Sequence, residues 1–509
     1  MTMQFAQFLD HDITLTPEQG RNILPSHIFT DLDCCNETFH EWDKNPKETP
    51  LNVRRCFNIP VSEPIFGGCH SFTRSDAICV DNSTREQING LTAFIDGSNI
   101  YGSDDITAAG LRALTDGLLR VNSDPNLSST ANLPTREQAG LTNPSHPETD
   151  SDLVAGDVRV IEQPTLASIH TLFLNEHNRI AKNLKDCLPE VMQTDEIIYQ
   201  ETRRIVGAQL QNIVYGEFLP LILGEDTINL FNLKLTEETE YFPLQDPSIL
   251  NEFATIAYRF GHTLLPDIFL GNGPRPLKNS FFQFVNTVTC PLPSSSPTAG
   301  KCWMNEMEEV INQQSPANDL EIADSVRDNL FSPPNMFPND LLARNLQRAR
   351  DHGLPDFLTM VKAANQFCPN LTSPSIPQSR WEDILTAYNN NHDIIDPFTG
   401  GLAETPATDA IVGPFFACVI GEQFRRLKDG DRYFFTHTKG SNHVRGVGPH
   451  TKSSVRKRTL GDIICDNTDV EQTQKQVMRE VSASNPLEYC YDKNKLDFTC
   501  IADDIIRGI

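Results

Sequence analysis

The chain has 509 residues, of which 39% are hydrophobic, and a mean hydropathy of -0.36. It is long enough to bury a large core, as one elaborated domain or several. A formal net charge of -26 excludes general binding to nucleic acid or anionic membranes, which needs a basic face. No apolar run approaches the ~18 residues of a membrane-spanning helix.

The chain opens on MQFAQFLDHDI (3–13), which sets Gln7, Asp10, His11 and Asp12 among Phe5, Phe8 and Leu9. In a helix of ~100° per residue, Gln7 and His11 share a face with Asp10 beside them. Asp10 and Asp12 then stand ~200° apart and serve different surroundings. Residues 1–12 lack a basic segment followed by an apolar one, so they are no signal peptide, and the natural N-terminus is expected upstream.

A long polar connection (28–88) follows, and others lie at 122–157 and 286–317. Connections of this length usually cover or line something. In LTAFIDGSNIYGSDD (91–105), Thr92, Phe94, Asp96 and Ser98 are two apart, and extended backbone would aim them to one side. Hydroxyls, a carboxylate and a carbonyl suit Ca²⁺, with another carboxylate required from elsewhere. GDVRVIEQP (156–164) holds Arg159 and Glu162, which face one way if helical.

Helical periodicity dominates the remainder. Leu166, Ile169, Leu172, Phe173, Ile180 and Leu184 form an apolar stripe behind Pro164, a natural first-turn residue. Residues 195–223, 318–331 and 412–427 also read as helices. AYRFGHTLL (257–265) places His262 in an apolar helical stretch, with Arg259 on its face and Gly261 leaving room for something flat. ARNLQRARDHG (343–353) offers Asn345, Arg348 and Arg350. Strands are short and scattered. The basic stretch 439–458 reads as a solvated loop.

Thirteen cysteines include Cys69/Cys79, Cys290/Cys302 and Cys490/Cys500, close pairs with the spacing of surface disulfides. No C-x-x-C occurs, against zinc-ribbon and thioredoxin readings. Sequons at Asn36, Asn82, Asn126 and Asn370 agree with an oxidising, extracellular setting.

Each motif taken singly has a plain structural explanation. Their order does not. QFLDHD, LTAFIDGSNIYGS, R-x-x-E followed by IHTLFLNEHNRIA, AYRFGHTLL, NLQRARDHG and FFACVIGEQFRRLKDGDRYFF together resemble the animal haem peroxidases, from about residue 3 to about residue 470. The resemblance implies a mainly α, large single-domain fold with long loops and few short strands. The catalytic domain would then span 1–509, with 471–509 a loosely matched tail.

The resemblance also implies roles. His11 would be the distal acid–base catalyst, Arg159 the distal cation, and Gln7 would order water or substrate. His262 would hold the iron of haem b and donate its other ring N–H to Asn345, while Arg348 would meet a propionate and Arg259 flank the cofactor. Asp10 and Glu162 would carry ester links to the haem. Asp12 would join Thr92, Phe94 (through its carbonyl), Asp96 and Ser98 around Ca²⁺. The activity implied is reduction of hydrogen peroxide through an oxyferryl intermediate, with halides, thiocyanate or phenols such as tyrosine as reductants, in a secreted enzyme. Some members carry methionine after the ester glutamate, sulfonium-linked to the haem. Gln163 stands there in this chain and cannot form that link.

Two other readings are weaker. A fatty-acid dioxygenase of the same superfamily would need a radical tyrosine on the proximal side. No tyrosine lies between His262 and Asn345, and the nearest is Tyr258. A non-catalytic matrix or adhesion module would be expected to lose His11, Arg159 or His262, and all three are present.

Overall fold

The computed structural model describes residues 1–18, 56–61, 68–80, 84–122, 133–142, 152–270, 275–277, 307–308, 310–331, 339–439 and 446–508. Helix α1 (Thr2–Ile13) is buried on nearly every side, so its apolar residues pack all round while its polar ones must find partners. Phe8 stacks on Phe173 with ring centroids 5.0 Å apart, and Phe5 packs against Phe218 at 5.6 Å. Beyond α1, the elements that brace the site include a short turn of helix, α2 (Ser98–Tyr101), and the long α3 (Pro164–Cys187).

Helix α3 starts where local chemistry directs it. The Gln163 side chain accepts the N–H of Thr165, and Pro164 occupies the first turn. Its stripe of Leu166, Ile169, Leu172, Phe173, Ile180 and Leu184 is fully buried. Helix α4 (Asp195–Ile213) continues through a π segment, Val214–Phe218, into α5 (Leu219–Leu230). Later come α6 (Leu341–Asp351), capped by Asp340 on the N–H of Ala343, α7 (Pro414–Asp429), α8 (Leu460–Asn467) and α9 (Phe498–Ile506). The fold is mainly α. Among the described residues, strands occur as short two-stranded pairings, and the main hydrophobic core runs from α1 to α9, with two small clusters beside it. No described helix is long and apolar enough to cross a membrane.

Several expectations change. Residues 318–331 contain one helical turn, Asp324–Arg327, where Arg327 pairs with Asp324 and Asp328 on the surface. The His262 stretch winds as a 3-10 helix, Ala257–Leu264. Residues 92–98 are not extended: Gly97 adopts a left-handed φ of 73°, which turns the chain into α2. Cys490 bonds to Cys465 and Cys368 to Cys418, leaving Cys500 as a free thiol, so the pairing of Cys490 with Cys500 does not form. The pair Cys290/Cys302 and the side chain of Cys79 lie outside the described residues, as do Asn36, Asn82 and Asn126.

Candidate active site

A cavity of about 320 Å³ is lined by Gln7, Asp10, His11, Arg159, Glu162, Gln163, Tyr258, Arg259, His262 and Arg348, among others. Residues from α1, the 157–163 turn, the 257–264 turn and α6 therefore meet in one place. Arg159 and Glu162 arrive on a hydrogen-bonded turn, Glu162 N–H to the Arg159 carbonyl at 2.9 Å, and not on a helix.

His11 is 3% exposed. Burial, then the positive charge of Arg159, hold its imidazole well below the usual range, so it is neutral at pH 7. Its Nδ1 has no hydrogen-bond partner and lies 3.6 Å from Oδ1 of Asp157, while Nε2 stands 4.0 Å from Oε2 of Glu162. A neutral imidazole with a ring nitrogen directed at a cavity can accept a proton and return it.

Asp157 was not singled out from the sequence. It grips Arg159 in a two-pronged pair, Nε to Oδ1 and Nη2 to Oδ2, both at 2.9 Å. Burial pushes its carboxyl up, but Arg159 and His11 pull it below the ordinary carboxylate range. Arg159 also donates to the Thr14 carbonyl at 2.7 Å and stands 3.5 Å from Asp10. The signal available was the D-x-R spacing, which a tight turn converts into a chelate.

Gln7 donates to Glu162 Oε2 at 3.0 Å and accepts from Gln163 Nε2 at 3.0 Å. Gln163 thus caps α3 and fixes Gln7 with the same side chain. Burial raises the Glu162 carboxyl to about 7 despite Arg159, and raises that of Asp10 as well. Three carboxyls crowd one close guanidinium here, and Asp10 and Glu162 hold their protons more readily than free carboxyls.

His262 is held neutral by burial and by Arg259, with its imidazole lowered to about 3. Asn345 Nδ2 donates to its Nδ1 at 2.8 Å, while the Asn345 carbonyl accepts from Arg259 at 2.7 Å. His262 and Asn345 are thus brought together, with Arg259 on the other end of the amide. A Cβ at Gly261 would meet nothing within 4 Å, so the chain is open at that point. Arg348 pairs with Glu18 at 2.6 Å and Asp351 at 3.3 Å. Burial, then Arg348, lowers Arg259 to about 10, so this corner is rich in positive charge. Tyr258 lines the cavity with a buried hydroxyl that has no hydrogen-bond partner.

Asp12 turns away from the cavity. Its carboxylate accepts from Gly97 N (3.2 Å), Asn99 N (3.3 Å) and Ser98 Oγ (3.1 Å). Ser98 N donates to Asp96 Oδ1 at 2.9 Å, and Thr92 Oγ1 reaches the same oxygen at 3.2 Å. Asp12, Asp96, Thr92 and Ser98 are thus gathered, with half-buried Phe94 in the same loop. Burial, then the charge of Asp96, raises Asp12 to about 8. Two crowded carboxyls with hydroxyls around them form a hard-cation donor set. Among the described residues, no group of three His, Cys, Asp or Glu forms a metal site; this set depends on Thr and Ser oxygens. The loop also braces the cavity: Asn99 donates to the Phe8 carbonyl at 2.7 Å and accepts from Asp157 N at 3.1 Å. A Cβ at Gly156 would collide with the Ser98 carbonyl, so glycine lets these two turns touch.

Comparison with known proteins gives the family and the fold. Residues 1–478 match the family model of the animal haem peroxidases. The chain is 34% identical over 521 residues to a peroxidasin homologue of Caenorhabditis elegans, covering 94% of this chain and 37% of that protein. It is 35% identical over 500 residues to mouse myeloperoxidase, covering 93% of this chain and 65% of that one. Among solved structures, peroxidase A of Dictyostelium discoideum superposes with a TM-score of 0.69 at 24% identity, covering 94% of this chain and 85% of that one. At that identity the likeness speaks for the fold alone.

Proposed function

The chain belongs to the animal haem peroxidase family, and from that premise we propose that its cavity binds haem b and reduces hydrogen peroxide at the expense of a halide, thiocyanate or phenolic donor. The observation that carries this is the pair of neutral imidazoles, His11 and His262, lining one cavity with the Asp157-gripped Arg159.

The residues present fit the cofactor. Gly261 leaves open space beside His262, and Arg259 and Arg348 offer positive charge to its propionates. Esters at Asp10 and Glu162 would remove two of the crowded negative charges. Bound haem supplies the redox chemistry, taking up the oxidising equivalents of peroxide and passing them to the donor. His262 would hold the iron through Nε2, with Asn345 orienting the ring. His11 Nε2 accepts a proton from hydrogen peroxide and returns it to the departing oxygen as water forms. Arg159 stabilises negative charge on that oxygen, fixed in place by Asp157. Gln7 orders the approach through its bonds to Glu162 and Gln163.

Asp12, Thr92, Asp96, Ser98 and the Phe94 carbonyl would hold Ca²⁺, which ties the 92–99 loop to α1 and so holds His11. The disulfides Cys368–Cys418 and Cys465–Cys490 and the exposed sequon Asn370 support an extracellular or otherwise oxidising location. The catalytic domain is taken as 1–509.

The visible spectrum tests the reading. Purified protein should show a Soret band that changes on adding peroxide, and His262→Ala should lose both the band and the donor oxidation. Protein expressed with haem available that shows no Soret band would instead be a non-catalytic module on this fold.

A further inference from the structure

The nine tyrosines of the chain all lie among the described residues, so their fates can be compared directly. Tyr101, Tyr199, Tyr215 and Tyr258 are buried. Tyr388 donates to Asp396 at 2.8 Å, and Tyr241 is half-buried. Three rings face solvent: Tyr433 at 58% exposure, Tyr489 at 47% and Tyr491 at 76%.

These three are not chemically equal. The Tyr433 oxygen accepts a hydrogen bond from Arg432 at 2.6 Å, and the same guanidinium sits 4.9 Å from its ring centre. A cation over the face withdraws electron density and makes the ring harder to oxidise. Tyr489 and Tyr491 instead stack on each other, with centroids 5.1 Å apart and planes 16° from parallel. A ring lying face to face with another shares the positive charge left by electron loss, so this pair is the easier one to oxidise. The pair is also held rigidly. Cys490 between them is bonded to Cys465 on α8, and Leu487–Tyr489 pairs antiparallel with Gln472–Gln474. A fixed, exposed ring loses little further freedom when it meets a partner.

The geometry points to the Tyr489–Tyr491 stack as a site of oxidative modification, at which Tyr491 joins Tyr491 of a second copy of this chain as dityrosine. This rests on the peroxidase reading for its oxidant, hydrogen peroxide, acting through an oxidised phenolic donor that diffuses to the stack. Each of two phenols gives up one electron and one proton. The two phenoxyl rings form one C–C bond between their ortho carbons, and each ortho hydrogen returns to the phenol oxygen as aromaticity is restored. One peroxide takes the two electrons and two protons and becomes two waters. Coupling within the stack is disfavoured, because a C–C bond at the ortho carbons needs the rings edge to edge, whereas these lie face to face on a clamped backbone.

The test treats the full-length holoprotein with peroxide and a small phenol, then follows dityrosine fluorescence, covalent dimer on a reducing denaturing gel, and peptide mass mapping. A dimer whose cross-linked peptide joins two Tyr491 residues is expected, at least tenfold reduced in Tyr491→Phe and unchanged in Tyr433→Phe. A link at Tyr433, a link confined to one chain, or undiminished dimer in Tyr491→Phe would overturn it. Oxidation of the added phenol, read in the same tube, reports on the peroxidase reading separately. If that phenol is not oxidised, a photochemical one-electron oxidant replaces it. Coupling at Tyr491 then supports the site, and its absence overturns it.

Discussion

His11 Nδ1 faces Asp157 Oδ1 across 3.6 Å, and both oxygens of that carboxylate are already held by Arg159. One buried acid therefore positions the proposed base and the proposed cation together. Asp157→Asn keeps the shape and removes the charge, leaving buried Arg159 without its two-pronged partner and with only the more distant Asp10 carboxyl at 3.5 Å. The bimolecular rate with peroxide, read by stopped flow, should fall at least about tenfold, equivalent to ~1.4 kcal/mol of barrier. An unchanged rate would show that Arg159 needs no anchor.

Calcium removal should make stability depend on pH in a defined direction. Without a cation, Asp12 takes up its proton more readily when folded, its carboxyl being raised to about 8 by burial and Asp96. The folded state then binds more protons than the unfolded one between the ordinary carboxylate range and about 8, so stability falls as pH rises through that window. Chelated protein should lose melting temperature from pH 5 to pH 8, and added Ca²⁺ should restore it most at pH 8. Asp96→Asn should lower calcium content by elemental analysis.

Ester links at Asp10 and Glu162 predict that haem stays with the polypeptide in acidified organic solvent once the protein has turned over peroxide. Asp10→Asn and Glu162→Gln should each lose one link, and the double variant should release all the haem. Free haem from peroxide-treated native protein would sink the assignment.

Gln163 bears on substrate range. With no sulfonium possible there, less positive charge lies beside the macrocycle, and chloride, harder to oxidise than bromide or iodide, should be the first substrate lost. Iodide and thiocyanate oxidation with little taurine chloramine at pH 7 is expected. Gln163→Met would also remove the cap on Thr165 N–H and the bond to Gln7. It should therefore cost about 1 kcal/mol of stability, read by denaturant melts.

The linear order of QFLDHD, R-x-x-E, AYRFGHTLL and NLQRARDHG was enough to indicate the family, and period-3.6 patterning located α3 with its buried stripe and the helical stretch that begins with α4. The ~200° between Asp10 and Asp12 separated the cavity from the 92–98 loop, because side-chain direction along a helix is a local property of the backbone. Only the tertiary structure decided the rest. Asp157 matters because a turn brings it onto Arg159 and, from 146 positions away in sequence, onto His11. Arg259 and His262 meet on the one amide of Asn345, more than 80 positions away in sequence, and the 92–98 loop is folded by Gly97 and by the Asp12 carboxylate rather than by its own alternation. Cys490 pairs with Cys465, not with nearby Cys500, because disulfides follow distance in space. Local periodicity is written in neighbouring residues, whereas partners in a buried polar network are chosen by packing among segments far apart in the chain.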